Sequence, residues 1–390
     1  MPVPNRLMDL APEIKAWRRD IHQNPELGFA EHRTSQIVAD KLASWGIEVH
    51  RGLAGTGVVG VLRGQPGTGS IGFRADMDAL AMEEVNGFEH RSQTPGAMHA
   101  CGHDGHTATL LGAAKYLAET RNFAGTVHFL FQPAEEGGGG GRVMVEEGLF
   151  DRFPCDTVYA LHNDPALPLG TAACVPGVIM AASDRLKITI KGRGGHAARP
   201  HTTIDPVVVG AHVVVALQSI VARKVDPIES SVISLTMFHA GSAMNVIADS
   251  AEIQGTVRAL SEGVRKQVAA LIEQVATNTA AAHGAVAEVE YIWGYPPTTN
   301  HVEQTERAAR ALEDVLGEGR VFRDRPPVMG GEDFSYMLLA RPGAFIRLGQ
   351  ASPDGTGSVP VHNTAYDFND EAAPLGAAWF ARLAERELPR

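Results

Sequence analysis

The chain has little cysteine, no surplus of basic charge and no long unbroken apolar run, and each shortage narrows what it can be. Three cysteines among 390 residues, Cys101, Cys155 and Cys174, are too few, and odd in number, for a disulfide framework. At least one is free. A buried thiol usually behaves as a small apolar side chain, which is the reading for Cys155 and Cys174. With 34 Lys and Arg against 45 Asp and Glu, the formal net charge is −11. That balance argues against a nucleic-acid or anionic-membrane partner, because such surfaces demand clustered cations. No segment reaches the ~20 apolar residues that span a bilayer. The nearest, Pro206 to Leu217, is interrupted by Gly210 and His212. The opening MPVPNRLMDLAPEIK lacks the basic, apolar and small-residue order of an export signal, so a cytoplasmic protein acting on small molecules is expected.

What is present is a globular composition, 44% hydrophobic and 20% charged. The length suggests two or three domains at roughly 150 residues each. Asp9 to Trp45 reads as two helices broken at Asn24-Pro25. Gly57 to Leu62, Ser70 to Arg74, Thr126 to Phe131 and Thr157 to Leu161 read as strands, with a helix over Ala108 to Thr120. Such alternation predicts an α/β sheet covered on both faces. From Asp184 the order becomes strand, helix, strand, strand, helix, strand: Arg185 to Lys191, Asp205 to Ala222, Ser231 to Phe238, Glu252 to Leu260, Glu262 to Ala282 and Ala287 to Ile292. That is the split βαβ order of a ferredoxin-like α+β sandwich. The expected fold is therefore an α/β catalytic domain with a mixed sheet, residues 1–183 and 294–390, and an inserted domain, residues 184–293. The apolar stretch Pro206 to Leu217 is read as a core helix, with one face available for an oligomer contact.

Two short segments carry chemistry. HACGHDGH, His99 to His106, packs a thiol, three imidazoles and a carboxylate into eight residues. Thiolate and imidazole suit zinc and its neighbours, and Cys101 and His103 can reach one locus from an irregular turn. His99 and His106 then support the ligands or face the helix. Asp104 either caps a helix starting at Gly105 or orients His103. FQPAEEGGGGG, Phe131 to Gly141, follows a strand and sets Glu135 beside Glu136. Adjacent side chains diverge, so one carboxylate can hold a metal while the other serves as general base. His162 in ALHND and His362 in VHNTAYDFND would, taken singly, be hydrogen-bonded structural histidines. Gly55-Thr56-Gly57-Val58-Val59-Gly60 fits the GxGxxG string, but Val61 and Leu62 continue a strand where a dinucleotide site needs a helix.

Taken together, FRADMDAL (Phe73 to Leu80), HACGHDGH, FQPAEEGGGG, LHN (Leu161 to Asn163), GGHAARPH (Gly194 to His201), MNVIAD (Met244 to Asp249), GGEDFSYM (Gly330 to Met337) and HNTAYDFND resemble the hippurate hydrolase and N-acyl-amino-acid amidohydrolase family. This is the branch of the aminoacylase/carboxypeptidase superfamily that includes plant auxin-conjugate hydrolases. The resemblance spans nearly the whole chain. It implies two divalent metal ions (zinc, manganese, cobalt or nickel) held by Cys101, His103, Glu136, His162 and His362, with Glu135 as general base. It implies further that His196, on the inserted domain and often across a dimer interface, holds the developing oxyanion, with His201 the lesser candidate. Asn245 and Arg258 are implied binders of the substrate carboxylate, and Asp76 and Asp78 supports of the metal shell. The implied substrate is an N-acyl amino acid, hippurate-like or N-acetyl, with a dipeptidase or carboxypeptidase as the alternative. The inserted domain is the implied lid and homodimer surface. The chain departs from the family pattern at Ala81, Asp164 and Ala248, and Asp164 stands where an aromatic is usual, near the expected acyl pocket.

Overall fold

Strands that are apolar on both sides must be covered on both. The strand Gly57–Arg63, buried at every residue but its last, is of that kind. The computed structural model describes residues 5–390. Its described residues divide into two units: 5–177, 299–326 and 333–390 form the larger, and 178–298 with 327–332 the smaller.

In the larger unit the described residues form an eight-stranded mixed sheet. Its order is Glu48–Leu53, Gly57–Arg63, Ala124–Gln132, Gln65–Asp76, Thr157–Pro168, Gly343–Ala351, Ala172–Ala173, Val321–Phe322. The four central strands run parallel, and the flanking pairs add antiparallel edges. Phe73, Phe129, Phe131 and Tyr159 on these strands are wholly buried. Each contributes on the order of 1.5–3 kcal/mol through removal of apolar surface from water.

Helices Asn5–Gln23, His103–Thr120 and Ala372–Glu387 pack on one another beside the sheet. Gly112 permits the approach, since a Cβ there would lie 2.5 Å from Ile14 Cδ1. The first helix stops at Gln23, ahead of Asn24-Pro25, and the next begins at His32. The helix His103–Thr120 starts two residues earlier than the expected Gly105, because Gly102 takes the turn at φ +94°. Asp76 ends one central strand, Gln132 ends its neighbour just before Glu135 and Glu136, and His162 lies on the third. Carboxyl ends of parallel strands are where open α/β sheets build their sites.

In the smaller unit four antiparallel strands are ordered Ser231–Ala240, Ser250–Ala259, Ala182–Lys191, Val286–Tyr295. With helices Pro206–Arg223 and Glu262–Ala282, this is the ferredoxin-like arrangement. Asp205 caps the first helix, accepting from the Val207 amide at 2.9 Å ahead of Pro206, and Ser261 caps the second. The helix Pro206–Arg223 runs past Leu217 through Ile220 and Val221. With a mean hydropathy of 1.6 over 18 residues, it is long and apolar enough to cross a membrane by length and composition. Its face Val209, Gly210, Val213, Leu217 and Ile220 is the core of this unit, packed with Ile188, Ile253 and Val257 of the sheet. Val207, Val208 and Val215 on the helix remain exposed.

Asp184, 1% exposed, ties the first strand of the smaller unit to its last. It accepts from Arg265 Nε at 2.9 Å and Nη2 at 2.6 Å, from the Tyr291 hydroxyl at 2.7 Å and from the Gly294 amide at 2.8 Å. Removing one partner of a buried pair strands the other charge. Asp184→Ala is expected to destabilise this unit by about 3–5 kcal/mol. Urea unfolding followed by Trp293 fluorescence would read it, and an unchanged midpoint would contradict the assignment.

Candidate active site

Asp76 is buried at the end of its strand, where a lone carboxylate would be untenable. It is not alone. Arg74 Nη1 donates to Oδ2 at 2.7 Å, and His106 Nδ1 lies 2.6 Å from Oδ1. Burial alone would raise the Asp76 carboxyl. His103, Arg74 and His106 outweigh it and hold the group well below the usual carboxylate range. Arg74 also binds Gln132 (2.9 Å) and Asp333 (2.9 Å), and Asp333 in turn accepts from the Gly141 amide at 2.8 Å. The strand ends and the glycine run are thus fixed by one polar network.

Above this network sit the side chains singled out in the sequence. Cys101, His103 and His162 place one ligand atom each within 4.8 Å of one another, and so do Cys101, Glu136 and His362. Cys101 belongs to both groups. His103, Glu135 and Glu136 form a third. His103 turns Nδ1 to the Asp78 carbonyl (3.0 Å) and Oδ1 (3.1 Å). His162 turns Nδ1 to the Asn163 carbonyl (2.7 Å). In each ring Nδ1–H is the donor and Nε2 is turned to the cluster, the orientation of imidazoles that hold a cation. His162 Nε2 lies 3.3 Å from Cys101 Sγ, and His362 Nε2 lies 3.2 Å from Glu136 Oε1. Burial and His106 keep His162 well below the ordinary imidazole range, so it stays neutral. Burial and the Glu136 charge push the Cys101 thiol well up. A thiolate here needs a cation.

The backbone is also shaped for the cluster. Ala134 (φ +53°) and His362 (φ +61°) occupy the left-handed region that non-glycine residues rarely adopt. Glu31, fully buried, accepts from the Ala134 amide at 2.8 Å and from Thr56 Oγ1 at 2.6 Å. The His362 amide donates to the Ala100 carbonyl at 2.7 Å.

Residues 72–386 match the profile of peptidase family M20/M25/M40. The chain belongs to that family. It is similar to hippurate hydrolase of Campylobacter jejuni, 40% identical with 98% of each chain covered. It is similar as well to thermostable carboxypeptidase 2 of Saccharolobus solfataricus, 38% identical with 98% of each covered. Among solved structures it resembles a dinuclear metal-binding peptidase from Bacillus subtilis. That match has a TM-score of 0.84 and 34% identity, covering 98% of this chain and 99% of the other.

Within this M20 chain some sequence readings need correcting. Asp104 neither caps the helix nor orients His103: the cap position is Gly102, without a side-chain bond, and His103 is held by Asp78. Asp104 lies inside the first turn, fully buried, against Arg18 (2.7 Å) and His22 (2.8 Å). His106 bridges Asp76 and Asn163 Oδ1 (2.7 Å). His99 has no hydrogen bond on either ring nitrogen, and burial lowers it to about 4. Asp164 is half-buried and pairs with Arg347 at 3.6 Å. Sequence reasoning missed Arg18, His22, Glu31, Arg74 and Asp333 as charged core residues. Their only signal was a charge standing at an apolar position.

In the smaller unit His196 and Asn245 are brought together. Gly195–His196 pairs with Val246–Ile247, and the Ala197 amide donates to the Asn245 carbonyl at 3.0 Å. The Ala198 amide donates to His196 Nδ1 at 3.1 Å, which leaves Nε2–H as a free-facing donor. His201 is exposed in the turn Pro200–Thr202. Arg258 lies apart, on the strand Ser250–Ala259, and its guanidinium donates to the Val257 (3.0 Å) and Asp184 (3.4 Å) carbonyls.

Asp78 touches two members of the cluster at once, His103 through Oδ1 and the Glu136 amide through Oδ2 at 2.9 Å. Asp78→Ala is expected to weaken divalent-cation binding about 10- to 100-fold. Competition with a chromophoric chelator measures this, and unaltered affinity would remove Asp78 from any orienting role.

Proposed function

We infer that the protein is a metal-dependent amidohydrolase that cleaves N-acyl amino acids to a carboxylic acid and an amino acid. The observation that carries the reading is the pair of triads sharing Cys101, with Glu135 beside them. Cations fit this set. His103 Nε2 and Glu136 Oε1 are buried without a well-directed hydrogen bond, and the thiol, imidazole and carboxylate donors are those that zinc, manganese, cobalt or nickel accept. The soft thiolate favours zinc among them. Cys101, His103 and His162 would hold one ion, and Cys101, Glu136 and His362 the other. The dinuclear Bacillus relative supports a count of two.

When bound, two divalent ions supply Lewis acidity, bringing water's pKa towards about 7 and polarising the amide carbonyl. The chain supplies the rest. Glu135, buried and accepting from the Asp333 amide at 3.3 Å, is the general base. It takes a proton from the water whose oxygen bonds the acyl carbon. It then returns that proton to the amide nitrogen as the C–N bond breaks, so water's atoms are divided between acid and amine. His196, through Nε2–H, is assigned to the developing oxyanion. Asn245 and the Arg258 fork are assigned to the substrate's free carboxylate, for which a guanidinium is well matched.

The full-length likeness to a hippurate hydrolase supports benzoyl-glycine and related acyl amino acids as substrates. The comparable likeness to a carboxypeptidase, 38% against 40% identity, supports the second reading, peptide cleavage at the same centre. Glu135→Gln is expected to lower kcat on benzoyl-glycine about 10²–10⁴-fold with cation content unchanged. Retained turnover would dismiss Glu135 as the base. Faster wild-type hydrolysis of plain dipeptides than of any acyl amino acid would favour the carboxypeptidase reading.

A homodimer built on the smaller unit is part of this proposal. The sheet edge Ser231–Ala240 exposes Val232, Met237 and Phe238, and the adjacent helix exposes Val207, Val208 and Val215. An apolar edge strand beside an apolar helix face invites a second copy. Val208→Glu with Val215→Glu is expected to shift the mass in light scattering from dimer to monomer. A mass unmoved by the pair would place any interface elsewhere.

A further inference from the structure

Arg18 lies on the helix Asn5–Gln23, outside every motif discussed so far, and its side chain has no exposure. It faces three carboxylates. Nε donates to Asp104 Oδ2 at 2.7 Å, Nη2 meets Asp367, and Nη1 reaches Asp370 at 3.5 Å. Asp104 directly follows His103, and Asp367 lies on the loop that carries His362. One guanidinium therefore joins the two chain segments that bring Cys101 and His103 on one side and His362 on the other.

The surroundings reinforce both ends of this link. His22, one helical turn after Arg18, sits 2.8 Å from Asp104 and 3.3 Å from Glu84. His90, stacked on Phe88 at 4.0 Å, lies 3.1 Å from Asp367. The Val85 amide donates to the Thr364 carbonyl (3.0 Å), and Asn86 Nδ2 to that of Tyr366 (3.0 Å). His362 itself is half exposed, and its backbone is in the left-handed region. Nothing in its own loop is helical or stranded between Val359 and Tyr366. The position of its ring depends on anchors outside the loop: the buried Ala100 carbonyl that its own amide meets, and Arg18, which holds Asp367 from the first helix.

We propose that Arg18 is a positioning residue that sets the separation of His362 from the Cys101–His103 pair, and thereby governs capture of the second ion. Its planar fork serves diverging carboxylates together, which a lysine ammonium cannot do from one point. The inference rests on the two-ion reading above, and its test separates the two. Metal-free wild-type protein and the variants Arg18→Lys, His362→Ala and the double variant are titrated with cobalt(II). Thiolate-to-cobalt and d–d absorption are followed, and bound metal is counted by atomic absorption.

Wild type is expected to take two ions. Arg18→Lys should keep the first and its thiolate band, bind the second at least tenfold more weakly, and add no further loss to His362→Ala. A second ion bound as tightly as in wild type overturns the proposal, as does equal weakening of both ions or full additivity with His362→Ala. If wild type itself takes only one, the two-ion reading falls first. Should Arg18→Lys not fold, Asp367→Asn leaves the Arg18–Asp104 pair in place and carries the same expectation: selective loss of the second ion supports the proposal, and unchanged binding overturns it.

Discussion

A carboxylate can be buried only where cations and donors replace the water it loses, and at Asp76 that requirement organises one end of the larger unit. Arg74 neutralises it and, having donors to spare, recruits Gln132 and Asp333. Asp333 then holds the start of the glycine-led helix Gly140–Glu146. On the other side His106 carries the constraint to Asn163, whose neighbour His162 faces Cys101. Arg74, Asp76, His106, Gln132, Asn163 and Asp333 are all nearly unexposed, so a shift in one is transmitted to the next with little water to absorb it.

Two left-handed residues in the same region make a related point. Ala134 and His362 each hold backbone conformations that cost on the order of 1–3 kcal/mol. Both are restrained by bonds from distant parts of the chain, Glu31 for one and the Ala100 carbonyl for the other. The first leads directly into Glu135 and Glu136 just after a strand, and the second presents the imidazole of His362 from a loop without secondary structure of its own. A relaxed backbone at either position would carry the side chains away from the cluster.

Much of this was legible in the order of residues. Three of the four central strands announced themselves as short apolar runs, while Gly343–Ala351 was not singled out, and the βαββαβ order of the smaller unit followed from periodicity, with ends misplaced by only a few residues. Cys101 and His103 stood out because thiol and imidazole share a turn, and Glu135 and Glu136 because they precede a glycine run. His162 and His362 did not, since a lone histidine looks the same whether it binds a proton or a metal; only the resemblance singled them out. Arg18, Glu31 and Arg74 were illegible for a different reason. A charged residue in an amphipathic pattern reads as solvent-facing, and its burial is decided by partners more than fifty residues away, such as Asp333 for Arg74.

The groups that meet at Cys101 come from far apart along the chain, from His103 to His362, and the helices that carry Arg18 and follow Asp370 pack together against the helix that begins at His103. Such long-range closure is slow compared with local structure. While the protein is being synthesised, the smaller unit, continuous over most of its length, can fold from its own neighbours, whereas the cluster must wait until residues near 370 have emerged. A chain stopped short of His362 carries Cys101 and Glu136 but lacks the third donor proposed for the second ion, so the complete set belongs only to molecules synthesised past that residue.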